Sequence, residues 1–353
     1  MSELTGFVEM SKYAGMREDL VQAGGGNSSV KLNKGDMLIK SSGIQLAEIE
    51  EDSGYSTVSA KVIANYFEKT PLDKISISDE KMILDEAFIK GGRPSIETFL
   101  HAFTDKYTLH THATLVNVLS TRRNGMRELE YLFPDAMLIG YEKPGIGLAK
   151  EYFSGIQHRL KSKMKVADIT FLKNHGVVVS GKTAIEVIEK TEYVVNKIEK
   201  YLEVDNGKYK NTTEIYNYLK AFSPDKSFIV YLCKDYDVVK MAAQDVVNDG
   251  FHQICPDCIV YCGKRLLILN ERITSEEIKS YMDVYGFPTV IVYRGHIYIC
   301  SNSIKKAKEI ESVLSFSAQI VLMNRNEPMD RLSEQEQAFL LNWDAEKYRQ
   351  NLK

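Results

Sequence analysis

No apolar run approaches the length needed to cross a bilayer, and the mixed, polar stretch from Met1 to Met16 carries no leader pattern. Neither membrane insertion nor export is therefore expected. No sign of charge dominates: 45 Lys and Arg stand against 48 Asp and Glu, a net charge of −3, so no nucleic-acid surface or acidic tail is predicted. Basic clusters such as Lys305-Lys306 with Lys308, and Arg159 to Lys165, read as solvated helix faces. Cysteine is sparse and odd in number, five in all, which gives no disulfide framework and fits a reducing cytoplasm. Internal repeats and low-complexity tracts are absent. The glycine-rich run from Gly24 is not a phosphate loop, because no Gly-Lys-Ser/Thr follows it at the required spacing, and no Gly-x-Gly-x-x-Gly dinucleotide fingerprint follows a strand, which argues against a nicotinamide enzyme. What is present is an ordinary globular composition, 44% apolar and 26% charged, in a chain long enough for two domains.

The chemistry concentrates in three histidines. His110 and His112 lie in Leu109-His110-Thr111-His112-Ala113, and His175 lies in Lys173-Asn174-His175-Gly176. On an extended strand, residues two apart project from one face, so both rings of the pair could grip one ion. The run from Tyr107 to Leu119 suits a strand, although a helix starting near Ala113 is equally consistent. His175 precedes Val177-Val178-Val179, a buried strand by its composition. Three imidazoles suit Zn²⁺ or a similar borderline metal and leave one coordination position for a substrate oxygen. Taken alone, an His-x-His pair is more often structural or on the surface; its surroundings change that reading.

Two segments upstream read as an anion cradle. In Gly24-Gly25-Gly26-Asn27-Ser28-Ser29-Val30-Lys31 the glycines let backbone N–H groups turn toward a phosphate. Ile39-Lys40-Ser41-Ser42-Gly43 adds two hydroxyls and another flexible turn. Either loop alone would serve equally well as a hairpin or bulge. Between them and the histidines comes Gly91-Gly92-Arg93-Pro94-Ser95-Ile96-Glu97, where proline just inside a helix start would place Ser95 and Glu97 in the first turn. A first-turn carboxylate commonly just favours the helix dipole. His101, four residues beyond Glu97, shares its helix face and reads as a packing or supporting residue.

In this order, Gly25-Gly26-Asn27-Ser28-Ser29, Ile39 to Gly43, Pro94-Ser95-Ile96-Glu97, His110-Thr111-His112 and Asn174-His175-Gly176 resemble the class II (zinc-dependent) aldolase/adducin family, over about residues 5 to 205. That family includes fuculose-phosphate and rhamnulose-phosphate aldolases and ribulose-phosphate 4-epimerase. The resemblance implies an α/β/α sandwich around a mostly antiparallel sheet, and a homotetramer with active sites between subunits. It makes His110, His112 and His175 the ligands of Zn²⁺, or of Mn²⁺ or Co²⁺, and Glu97 the acid/base. Asn27, Ser42, Gly43 and Ser95 would bind phosphate, and Tyr131 would match the tyrosine that a neighbouring subunit supplies as an acid. One departure stands out: many members have two serines before the acid, and here the second is Ile96. The longer rhamnulose-phosphate aldolase-type members, including those fused to a dehydrogenase, look more similar, and no dehydrogenase domain is expected here.

The implied activity is reversible retro-aldol cleavage of a phosphorylated ketose or related sugar through a metal-stabilised enediolate. Epimerisation, dehydration or decarboxylation of a sugar phosphate on the same site is the alternative, and an adducin-like binding module without catalysis is a third. The three histidines and Glu97 argue against the third. The expected partner is a small sugar phosphate.

The pattern divides the chain into a catalytic domain, 1–205, and a small α/β domain, 214–353. An apolar stripe predicts a helix over Thr183 to Leu202, stopped by Asp205-Asn206-Gly207, with a polar linker through Thr213. Strands are expected at Phe228 to Cys233, Cys258 to Cys262 and Arg265 to Leu269, with helices at Asp237 to Val247 and Ser275 to Val284. A hairpin should join Thr289–Tyr293 to His296–Cys300 through Arg294-Gly295, followed by helices at Ile304 to Ser315 and Glu334 to Arg349. Pro256-Asp257 before an apolar strand, and the terminal run from Asn342 to Arg349, look like the extensions of the longer relatives. Cys255-Pro256-Asp257-Cys258 has metal or redox spacing with His252 near, but no second pair completes a zinc site, and Pro256 suits an extended turn better than a redox helix start. Reduced thiols are expected.

Overall fold

The computed structural model describes residues 2–243, 247–248, 250–324 and 327–342. The chain divides into two compact units, Met1–Asn206 and Gly207–Lys353. In the first, eight strands form one sheet: β1 (Asn27–Lys31), β2 (Asp36–Lys40), β3 (Tyr55–Ser59), β4 (Phe88–Gly91), β5 (Tyr107–Thr111), β6 (Met137–Ile139), β7 (Ile169–Leu172) and β8 (Gly176–Gly181). Their order is β4-β3-β2-β1-β5-β8-β7-β6. Every neighbouring pair is antiparallel except β6 with β7.

Both faces of this sheet are covered, because apolar residues alternate between two cores with the period of a strand. On β2, Leu38 joins Phe7, Leu20, Leu109 and Val194 on one face, while Met37 and Ile39 pack with Phe67, Phe99 and Phe153 on the other. On β8, Val177 and Val179 share the first core, and Val178 turns to Leu148 and Tyr152. The result is the expected α/β/α arrangement around a mostly antiparallel sheet. The helix Ala184–Leu202 covers the first face. Its N-cap Thr183 accepts from the Glu186 N–H, and it ends where Glu203 turns left-handed at φ 53°, ahead of the expected Asp205–Gly207 stop.

The second unit carries a four-stranded sheet of β9 (Ile229–Leu232), β10 (Leu267–Leu269), β11 (Val290–Tyr293) and β12 (His296–Ser301), in the order β10-β11-β12-β9. β10 and β11 are parallel. Arg294 and Gly295, at φ 49° and 71°, make the two-residue turn foreseen for the β11–β12 hairpin.

Two expectations fail in this unit. The supposed linker through Thr213 is the start of a helix, Gly207–Phe222, in which polar Asn211 and Thr212 are buried. Asn211 Nδ2 donates to the Tyr298 hydroxyl at 2.8 Å, and Arg294 Nη1 donates to Asn211 Oδ1 at 3.0 Å. The supposed strand Cys258–Cys262 is the helix Pro256–Cys262, with Pro256 at its first position and Gly263 closing it at φ 84°. Other boundaries shift. The helix expected over Ile304–Ser315 runs through Ile304–Asn324, and that expected from Asp237 is Tyr236–Ala243. The last helix is Glu334–Asn342. The calls on residues 244–246 and 343–349 lie outside the described residues.

Candidate functional site

The site lies at the end of central strand β5. His110 is the register partner of Asn27 on β1 and of Val178 on β8. His112 follows the strand end, just before the helix Thr114–Ser120, so the strand and helix readings of this segment are both right on their own side of Ala113. His175 sits in the tight connection from β7 to β8, where Asn174 adopts φ 55°. Pairing of β5 with β8 thus unites residues far apart in the chain. The three ring centroids are 4.8–5.0 Å apart, and one nitrogen from each ring lies within 4.8 Å of the others.

Glycines allow this crowding. A Cβ on Gly176 would stand 2.1 Å from the Thr111 carbonyl oxygen, and one on Gly25 would meet His112 Nδ1 at 2.8 Å. Asn117 then clasps both histidine segments, its Nδ2 donating to the carbonyls of His112 (3.3 Å) and His175 (3.1 Å).

All three imidazoles are held neutral at neutral pH. Burial pushes His110 down to about 4, against the opposing effect of its contact with the Val177 carbonyl. That contact, 3.1 Å from Nδ1, makes Nδ1 the protonated nitrogen and leaves the Nε2 lone pair facing the cluster. His175 and His112 are also lowered to about 4, by burial first and His110 next, with Glu97 opposing in each case. Among the described residues, His110 Nε2 and His112 Nε2 are buried without a hydrogen-bond partner. Buried lone pairs with no donor are costly unless something else satisfies them. A neutral three-imidazole set with such orphans fits a divalent metal ion.

Glu97 faces the triad. Its Oε1 lies 3.2 Å from His175 Nε2 and its Oε2 3.5 Å from His110 Nε2. Asn27 Nδ2 donates to Oε2 at 2.5 Å and makes a longer contact, 3.4 Å, with Ser95 Oγ. Ser95 Oγ in turn accepts from the Glu97 N–H at 3.3 Å. The helix expected to start at Pro94 does not. Pro94 bridges to Ser41 as extended backbone, and Glu97 caps a single turn, Thr98–His101. Ser95 and Glu97 therefore precede that turn, between the Ser41–Pro94 bridge and Thr98, rather than lying in the first turn of a helix. His101 is fully buried on that turn, its Nδ1 2.7 Å from Ser29 Oγ, and serves packing.

The second loop is clamped to the Glu97 segment. The Ser42 N–H donates to the Arg93 carbonyl at 2.7 Å, and Ser56 Oγ bonds both Ser41 Oγ and the Gly92 carbonyl. Ser42 and Gly43 are exposed, Gly43 at φ 85° with open space around it. Lys40, only 3% exposed, ties this loop to the glycine-rich one: its Nζ donates to the carbonyls of Gly24 (3.1 Å) and Ile44 (2.7 Å). Burial lowers its pKa, and Glu97 partly offsets this.

The family profile described as "Class II Aldolase and Adducin N-terminal domain" matches residues 6–202, more than half of the chain. The chain belongs to this family. Among curated proteins it is 25% identical over 318 residues to the "Uncharacterized oxidoreductase YuxG" of Bacillus subtilis, covering 78% of this chain. The match spans only 44% of that relative's length. Among solved structures, the N-terminal class II aldolase domain of a conserved protein from Thermoplasma acidophilum is 24% identical, covering 57% of this chain and 94% of that one, with a TM-score of 0.49. A sugar-phosphate aldolase from Thermotoga maritima is 17% identical, covering 57% and 94%, with a TM-score of 0.40.

As a class II aldolase-family chain, it brings Asn27, Ser95, Glu97, His110, His112 and His175 into one cluster. Tyr131 stands apart from that cluster's contacts: it is 82% exposed on the helix Gly125–Leu132. Reading the sequence missed Asn117 and Lys40 as organisers of the site. A lysine between two glycine-bearing loops, whose carbonyls can satisfy its ammonium, is the signal that points to Lys40. No helix among the described residues is long and apolar enough to cross a membrane.

Proposed function

We propose that the protein is a metal-dependent aldehyde-lyase that cleaves a phosphorylated ketose, or a related sugar, by a reversible retro-aldol reaction. The observation that carries this reading is the placement of Glu97, with one carboxylate oxygen 3.2 Å from His175 and the other 3.5 Å from His110. His110, His112 and His175 would hold the ion, with Zn²⁺ preferred because three neutral imidazoles leave one position open. When bound, such an ion supplies a Lewis acid that polarises a substrate carbonyl.

Glu97 is the base for the proton on the carbon next to that carbonyl, and it returns the proton in the reverse direction. Asn27, which donates to Oε2, fixes which carboxylate oxygen carries the lone pair toward substrate. Ser42, Gly43 and Ser95, with Asn27, take the substrate phosphate. Ser42 and Gly43 are exposed to receive it, and Lys40 holds their loop in place. Tyr131, exposed on its own subunit, is the acid for the aldehyde oxygen of a neighbouring copy in a homotetramer.

The test is carbon-bound hydrogen exchange of dihydroxyacetone phosphate in D₂O, followed by NMR on Zn²⁺-loaded protein. Wild type should exchange. Glu97→Gln should retain the metal and lose exchange by 10²-fold or more, whereas Tyr131→Phe should keep exchange and lose aldehyde condensation. His110→Ala should lose both metal and exchange. Full metal content in His110→Ala, or undiminished exchange in Glu97→Gln, would overturn the assignment.

A further inference from the structure

The second unit holds a pair of sulfurs that the proposed reaction does not use. Cys255 caps the helix Pro256–Cys262 with extended backbone, φ −152° and ψ 163°, and Cys258 lies one turn inside it. This geometry brings the two Sγ atoms to 2.9 Å, within an ångström of the covalent S–S length of about 2.05 Å. The two thiols differ sharply in access. Cys255 is half-buried, whereas Cys258 is fully buried and also touches Ser317 Oγ, at 3.0 Å, on the helix Ile304–Asn324.

A metal site is the competing reading of the spacing. It needs further ligands, and among the described residues no third His, Cys, Asp or Glu joins the pair within coordinating reach. His252 Nε2 is engaged elsewhere, 2.7 Å from the Gly263 carbonyl oxygen.

We propose that Cys255 and Cys258 are a reversible dithiol–disulfide couple that exchanges with low-molecular-weight disulfides. The Cys255 thiolate attacks one sulfur of the small disulfide, forming a mixed disulfide and expelling one small thiolate. The Cys258 sulfur then attacks Cys255 Sγ, forming the intramolecular disulfide and expelling the second. Two protein thiols lose two electrons and two protons, and the small disulfide takes them up as two thiols. Access sets the order of attack. Burial, with the Cys255 contact next, raises the Cys258 thiol to about 12, so the more exposed partner reacts first.

The three remaining cysteines are internal controls. Cys233, Cys262 and Cys300 are buried, and burial raises each thiol well above its ordinary range. The experiment equilibrates the full chain with oxidised and reduced glutathione at graded ratios, quenches with acid, alkylates after denaturation and maps the peptides by mass. Wild type should lose two hydrogens, with Cys255 and Cys258 leaving the alkylatable pool together and returning on dithiothreitol treatment. Cys258→Ser, or Cys258→Ala if the serine variant unfolds, should instead trap glutathione on Cys255. Cys255→Ser should leave Cys258 alkylatable at every ratio. A stable glutathione adduct on wild-type Cys255, or oxidation confined to Cys233, Cys262 or Cys300, would overturn the proposal.

Discussion

A buried imidazole next to the site has a cost that shows with pH. Burial, then His110 and Lys31, hold His101 well below the usual histidine range. The native state therefore binds fewer protons there than the unfolded chain, whose histidine titrates near about 6.5. Stability from this residue is fully present above that value and is lost as pH falls below it. We expect His101→Gln to flatten the decline in unfolding free energy between about pH 6.5 and 5, measured by urea titration. An unchanged slope would place the acid sensitivity elsewhere. At this scale the sequence was legible at His110, His112, His175 and Glu97 through the order of their segments rather than through any one residue, and the structure brings the four together. The sequence was not legible for Asn117, because a side chain that bonds two backbone carbonyls leaves no mark in spacing. Glu97 was found as a residue but misplaced as a first-turn helix residue, since Pro94 serves equally well in a β-bridge.

Elements were legible where a pattern had one physical meaning. The unbroken apolar run Val177-Val178-Val179 on β8 had to be buried on both faces, and Arg294-Gly295 could close only a short hairpin. Cys258-Ile259-Val260-Tyr261-Cys262 had two meanings, because β-branched residues suit a strand as readily as the buried side of a short helix. The deciding signals were Pro256 at the first helical position and Gly263 beyond the last, and both lie outside the run itself. Asn211 and Thr212 misled in the opposite way: polar residues read as linker, yet both are buried, Asn211 bonding across to Tyr298 on β12 and to Arg294 of its turn, and Thr212 donating back to the Tyr209 carbonyl of its own helix. Gly176 opens β8 hard against the Thr111 carbonyl. Gly176→Ala should cost about 3 kcal/mol as that contact forces β5 and β8 apart, and it should weaken metal binding in parallel. Chemical denaturation with metal titration would measure both losses, and wild-type stability in this variant would contradict the 2.1 Å approach.

For the whole molecule, all three histidines that could hold an ion lie in Met1–Asn206. Binding to the native state alone stabilises by mass action, about 2.7 kcal/mol when free Zn²⁺ is 100 times its dissociation constant. Calorimetry with and without Zn²⁺ should therefore raise the transition of this unit by roughly 5 to 10 °C. Linkage gives the unfolding of Gly207–Lys353 no direct shift; a rise confined to that second transition would refute the site. The first unit also contains a buried charge cluster near its N-terminus: Arg17 reaches Asp19 at 2.7 Å and Glu192, on the helix Ala184–Leu202, at 2.6 Å. Its early and late segments are thus fastened together. The same long reach governs the site, where Asn27 meets Glu97 across 70 residues of chain and His175 arrives only with β8. Such distant closures are slow to form. On the ribosome, a chain that has emerged only as far as β7 presents two of the three imidazoles, so on the proposed function the ion would be held only once His175 and β8 have emerged.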